Sequence, residues 1–372
     1  MTQSPDNAQT MEVVLPTRDL TADLAFFTVR LGFRLDTIFP ADDPREAVLS
    51  GHGVRLRLDR GAGASLGVLR LPCLNPDAFA AGARQLTSPG GVRIHIVEAT
   101  PPVEIPPTRH ALVVRRLADG DPWVIGRAGM RYRDLIPGRL GGAVIASHIH
   151  IPDAGPVPDM VHFHDVGFQL IFCAHGWVRV VYEDQGPPFV LKAGDCVIQP
   201  PRIRHRVLEA SENLQVIELS VPAEHVTTMD HEMALPTPAS DPGRRFGGQT
   251  FRRSQADAAD WLPWRLSGFE ARETGISVAS AGAASVRVAR PAGQGSPIWT
   301  SHNANILFGF IWSGSLTLHA QGHAAQKLSA GDSFVIPLGM KTALMDSAPD
   351  LQLLEVSLPA AFETVEHEAI AD

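Results

Sequence analysis

The sequence predicts a mainly β protein made of three consecutive segments. Glycine (33) and proline (30) are dense for a chain of 372 residues, which argues against helical bundles, coiled coils and helical repeats. From about residue 130 onward, short apolar or alternating runs recur between turn residues: Ala143 to Ile151, Gln169 to Cys173, Trp177 to Tyr182, Phe189 to Leu191, Cys196 to Gln199, Val207 to Leu208 and Gln215 to Ser220. Even spacing of this kind is the pattern of a β-sandwich or jelly-roll barrel. The sequence also repeats. Gly194-Asp195 and Pro200 return as Gly331-Asp332 and Pro337 after 137 residues, so two copies of one β-barrel are expected.

The first segment has a different pattern. An apolar stretch from Met11 to Leu15 precedes Leu20, Leu24, Phe27 and Leu31, which recur at helical spacing and form one stripe. Asp19 suits the N-cap and Gly32 the left-handed residue that ends the helix. Runs over Phe33 to Phe39, Ala47 to Ser50 and Val54 to Leu58 follow. The order is strand, helix, strand, strand, strand. With Asp19-Leu20, Phe26-Phe27 and Leu31-Gly32-Phe33, it resembles one βαβββ module of the glyoxalase (vicinal-oxygen-chelate) family. The resemblance implies paired modules with metal ligands on the strands. Here Val13-Val14-Leu15-Pro16 offers no ligand, and Arg55-Leu56-Arg57-Leu58 carries arginine where a glutamate is expected. No second module is expected between residues 75 and 125, and the module reads as structural or dimerising.

The expected organisation is a partial module over 1–125, a barrel with a metal site over 126–222, a linking arm over 223–272 and a second barrel with a degenerate metal motif over 273–372. Net charge is −8, with no basic run, which excludes sequence-blind nucleic-acid binding. Residues 1–140 carry 17 basic and 15 acidic side chains, and residues 141–372 carry 15 and 25, so the excess of acid lies in the barrels. Cys73, Cys173 and Cys196 are odd in number and far apart, which points to a reducing compartment without a disulfide framework. The N-terminus lacks signal-peptide character and no run is long enough to span a bilayer. A cytoplasmic protein without a membrane partner is expected.

Histidine is the unusual residue, with 15 in a chain that has 2 tyrosines. His162 and His164 are spaced i, i+2, so on a strand both leave the same face. Gln169 can return from the next strand, and His205 enters after the Gly-Asp turn. Inside a narrow barrel such groups can converge on one cation, and imidazole suits Fe, Mn, Ni or Zn. The spacing of His162, His164, Gln169, Gly176, Gly194, Pro200 and His205 resembles the two motifs of the cupin family. That resemblance implies that His162, His164, Gln169 and His205 are the metal ligands. Gln169 stands where the family has glutamate, Arg202 where it has a second glycine, and the opening glycine is displaced to Gly155. A glutamine carbonyl cancels no metal charge, which strengthens Lewis acidity and disfavours the trivalent state.

On the same template the third segment places Thr300, His302, Leu307 and Thr342 at the ligand positions, so one ligand of the four is retained. The fold class is therefore mainly β, with two cupin jelly-roll barrels and a small N-terminal α+β module. The resemblance implies a divalent-metal dioxygenase acting on a small enolisable or aromatic substrate. Non-redox isomerase, lyase or hydrolase action on a small organic acid is the first alternative, and a non-catalytic small-molecule-binding or regulatory bicupin the second. His148, sharing one strand face with His150, and Arg202, beside His205, are candidates for acid–base work and for pairing with a substrate carboxylate. A homodimer through barrel edges is expected.

Overall fold

A computed structural model describes residues 11–368 apart from 31, 52, 64–67, 88–92, 121, 259 and 294–297. The chain forms two compact units. One runs up to Glu104 and includes His162–Asp165 and His225–Glu232; the other comprises Ile105–Val161, Val166–Glu224 and Met233–Asp372. Among the described residues no helix is long and apolar enough to cross a membrane.

In the first unit the expected order appears: strand Glu12–Pro16, helix Leu20–Ala25, then strands Arg34–Phe39, Glu46–Gly51 and Val54–Asp59. Asp19 accepts a hydrogen bond from the Ala22 amide at 3.0 Å, and Gly32 has φ +73°; Leu31 lies outside the described residues. The first strand runs parallel to Val54–Asp59. Because strand side chains alternate, the sheet has two unlike faces. Leu35, Leu49, Leu56 and Val13 stand in one ladder and pack with Leu20, Leu24 and Phe27 of the helical stripe. On the other face Arg34, Ser50, Arg55, Glu12 and Arg70 stand in register. There the buried Glu12 accepts from Arg57 Nε and Nη2 at 3.1 Å each.

Beyond Val68–Cys73, where no further module was expected, helix Pro76–Ala80 and strands Gln85–Thr87 and Arg93–Glu98 follow. Val68–Cys73 is parallel to Arg93–Glu98, the same strand–helix–strand return in a shortened form. At the opposite edge Thr227–Met229 pairs with Arg34–Phe39, and His162–His164 pairs in turn with Thr227–Met229.

The second unit is dominated by two seven-stranded sheets that correspond strand for strand. One contains, in order, Arg252–Ser254, Cys196–Ile198, Phe168–His175, Leu214–Val221, Ile145–Ile151, Arg131–Asp134 and Val124–Ile125. The other contains Val113–Arg115, Ser333–Ile336, Ile306–Ser313, Gln352–Leu358, Ser285–Pro291, Phe269–Glu273 and Trp261–Pro263. They pack face to face through Phe168, Leu170 and Phe172 on one side and Ile306, Phe308 and Phe310 on the other, all buried. Burying one such side chain contributes about 2 kcal/mol. The intervening residues, Gln169, Ile171 and Cys173, therefore face the interior of the first jelly roll.

The edge strands are exchanged. Val113–Arg115 precedes the first jelly roll in sequence but pairs with Ser333–Val335 of the second. Arg252–Ser254 precedes the second but pairs with Cys196–Ile198 of the first. The Gly-Asp repeat anchors this exchange. Asp332 accepts from the Leu117 amide and Asp195 from the Ala256 amide, each at 2.8 Å. Arg133 donates to the Gly331 carbonyl at 2.5 Å, and Arg272 donates to the Gly194 carbonyl. Both arginines are 2% exposed or less. Gly194 and Gly331 have φ of +91° and +92°, where a side chain is strained, and a Cβ on either would lie 2.8 Å from Trp312 or Leu117 respectively.

Candidate metal centre

His162 and His164 occupy both ends of a three-residue strand, so the i, i+2 spacing sends them the same way. His205 opens strand His205–Ala210, and Gln169 is the second residue of Phe168–His175. All four are buried, His162 and Gln169 fully. One ring nitrogen from each of His162, His164 and His205 lies within 4.8 Å of the others, a separation that one cation can bridge.

The chemistry of each donor suits a metal. His205 Nδ1 donates to the Ile203 carbonyl at 3.0 Å. A carbonyl only accepts, so the proton sits on Nδ1 and the lone pair is on Nε2. Burial pushes the His205 pKa down to about 4, so the ring is neutral near pH 7. Tyr182 stacks on it at 5.5 Å and accepts from Gln199 at 2.9 Å. His164 Nδ1 lies 2.9 Å from the Thr227 hydroxyl. Gln169 Nε2 donates to Glu218 Oε1 at 3.1 Å, while its carbonyl oxygen is buried with no hydrogen-bond partner among the described residues. An unsatisfied buried acceptor is costly, and a cation would satisfy it.

The other two sequence candidates are His148 and Arg202. His148 is in register with Arg133 and Ile217, whereas its neighbour Ser147 is in register with Glu218. His148 therefore lies on the sheet face opposite Gln169, between the rings of Trp123 and Phe310. Its Nε2 donates to Gln215 at 2.9 Å, and Arg133 faces Nδ1 at 3.3 Å. Burial, then Arg133, lowers its pKa to about 4. Arg202 is exposed, at φ +64°, in the turn before His205.

Sequence reasoning passed over three residues. His225 lies 5.3 Å from His164, ring to ring, although 61 residues separate them and no local spacing marks it. Asp159 is buried, pairs with Arg127 and accepts the Val207 amide at 2.9 Å, fixing the strand that begins at His205. Glu218 holds Gln169 and also accepts from the Ser220 hydroxyl at 3.1 Å; strand alternation through Gln215 to Ser220 could have flagged it as inward-facing.

In the second jelly roll, Thr300, His302, Leu307 and Thr342 are all buried. Glu355, 137 residues after Glu218, is held by Arg265, whose Nε lies 3.1 Å from both carboxylate oxygens. The guanidinium also sits 4.7 Å from the Trp264 ring. Burial, then Arg265, lowers the pKa of His302.

No family model matches the chain, and no curated protein matches it in sequence. Among solved structures it is similar to salicylate 1,2-dioxygenase from Pseudaminobacter salicylatoxidans, with a TM-score of 0.53 and 16% identity over 70% of this chain and 90% of that one. The structure of that enzyme with gentisate gives 0.52 and 16%, over 71% and 87%. The fold is that of the double cupin: mainly β, with two related jelly rolls in one chain. The first jelly roll contributes to a three-histidine cluster suited to a metal.

Proposed function

We propose that the protein is a metal-dependent cupin enzyme, with His162, His164, His205 and Gln169 as ligands. We further propose that it is a dioxygenase acting on a small enolisable or aromatic substrate. The observation that carries the reading is the buried histidine triad, together with a buried glutamine carbonyl that has no hydrogen-bond partner among the described residues. A bound Fe, Mn, Ni or Zn ion would supply Lewis acidity and positions for oxygen ligands. The chain's own part is to exclude water, to keep His205 neutral with the proton on Nδ1, and to hold Gln169 by its amide nitrogen. The likeness to a solved dioxygenase supports the fold, and with it the choice of reaction to test first.

The neutral donor favours a second reading, non-redox isomerase, lyase or hydrolase action, because a Gln169 carbonyl leaves the full metal charge in place. The first unit, with a helix on one sheet face and an Arg/Glu ladder on the other, is proposed as a glyoxalase-like structural module. Oxygen uptake by the iron-loaded protein with catechols, hydroxybenzoates and diketones decides between the readings. Uptake that disappears in His162→Ala supports the dioxygenase. Turnover without oxygen supports the second reading, and binding without turnover supports a regulatory bicupin.

A further inference from the structure

The two jelly rolls keep one glutamate at the same place and treat it in opposite ways. Glu355 is neutralised by a bidentate guanidinium. Among the described residues Glu218 forms no ion pair with a Lys or Arg; its bonds come from neutral donors, Gln169 Nε2 and Ser220 Oγ, both at 3.1 Å on Oε1. Ser220 is fully buried and in register with Gln169, and Glu218 is in register with Ser147 and Ile171. All of them share the inward face.

We infer that Glu218 is the positioning residue of the metal centre: it fixes the Gln169 amide so that Oε1 is presented to the cation, and it supplies from the outer sphere the negative charge that the neutral ligand set lacks. This inference rests on the metal-centre reading above. An amide has two ends of similar shape. A carboxylate only accepts, so its bond to Nε2 selects the orientation that leaves the carbonyl free. Three neutral histidines and a glutamine cancel none of a divalent charge, and a nearby carboxylate compensates it without entering the coordination sphere. In the second jelly roll, where Leu307 replaces the glutamine and Thr342 the last histidine, Arg265 is the cation for the same carboxylate.

The test is titration of the metal-free protein with Co(II), following both the dissociation constant and the visible absorption of the bound ion. Outer-sphere partners typically contribute 10–100-fold to metal affinity, so Glu218→Gln is expected to weaken Co(II) binding by about that factor and to shift the absorption bands. Ser220→Ala is expected to weaken binding by a smaller factor. The exchange Gln169→Glu with Glu218→Gln keeps the charge and the hydrogen bond, and is expected to restore the affinity to within several-fold of the wild type. Should Glu218→Gln not fold, Ser220→Ala carries the test. If affinity and spectrum are unchanged in Glu218→Gln and Ser220→Ala while His162→Ala and His205→Ala abolish binding, this inference falls and the metal centre stands. If the histidine variants bind Co(II) like the wild type, the metal centre itself falls.

Discussion

The first and second jelly rolls are the same object on the outside and different objects within. Their large sheets correspond strand for strand, and each receives an edge strand from the segment that precedes the other. Arg133 and Arg272 make the same bond to opposite Gly-Asp turns. Inside, one has Gln169 and His205 and contributes to the three-histidine cluster, and the other has Thr300, His302, Leu307, Thr342 and an Arg265–Glu355 pair. Strand alternation makes this divergence possible. Residues on the packing face hold the pair of sheets together, while their immediate neighbours in sequence face inward and can change without disturbing that packing.

The widest separation of the two should appear in metal content. His205→Ala is expected to abolish bound metal, whereas His302→Ala leaves it unchanged; elemental analysis of the purified variants checks this. Equal loss in both would mean that the second interior also holds metal. The next effect is on stability. Arg265→Met leaves the Glu355 carboxylate buried without its partner, a change expected to cost about 3–5 kcal/mol, read by urea denaturation. A negligible loss would remove the guanidinium from its place as the fixed cation.

Acid should then act on the first jelly roll. His205 and His148 both have folded pKa values near 4, below the usual 6.5 of an unfolded histidine. Between pH 6.5 and 4 the unfolded chain takes up protons that the folded chain refuses, so the metal-free protein loses stability as pH falls through that window. The loss is on the order of 3 kcal/mol per histidine, and His205→Gln and His148→Gln should each flatten the curve. The smallest expected change is in Gln169→Glu, which retains metal within about tenfold in affinity but alters reactivity. Oxygen uptake beside metal content tests it, and loss of the metal would show that the neutral ligand is required for binding.

Much of this was legible in local patterns. The spacing of His162 and His164, the Gly-Asp repeat, the helical stripe of Leu20, Leu24 and Phe27 and the strand order behind it all depend on residues close in sequence. The exchange of Val113–Arg115 and Arg252–Ser254 was not legible, because their partners lie far along the chain and pairing leaves no mark on a three-residue strand. Arg133 and Arg272 look like ordinary arginines until both are found buried against backbone carbonyls. His148 shows the limit of face arguments: the parity shared with His150 was correct, but which face turned inward depended on the pairing of Ser147 with Glu218.

The sequence alone determined the strand-rich class, the repeat and the identity of the metal-binding candidates, because periodicity and spacing are properties of a few consecutive residues. Tertiary structure alone decided that the arms are exchanged, that Glu218 faces a neutral ligand while Glu355 faces a guanidinium, and that His148 belongs to the packing between the sheets. Those outcomes depend on which distant strands pair and in what register, and a shift of one residue would have reversed every face.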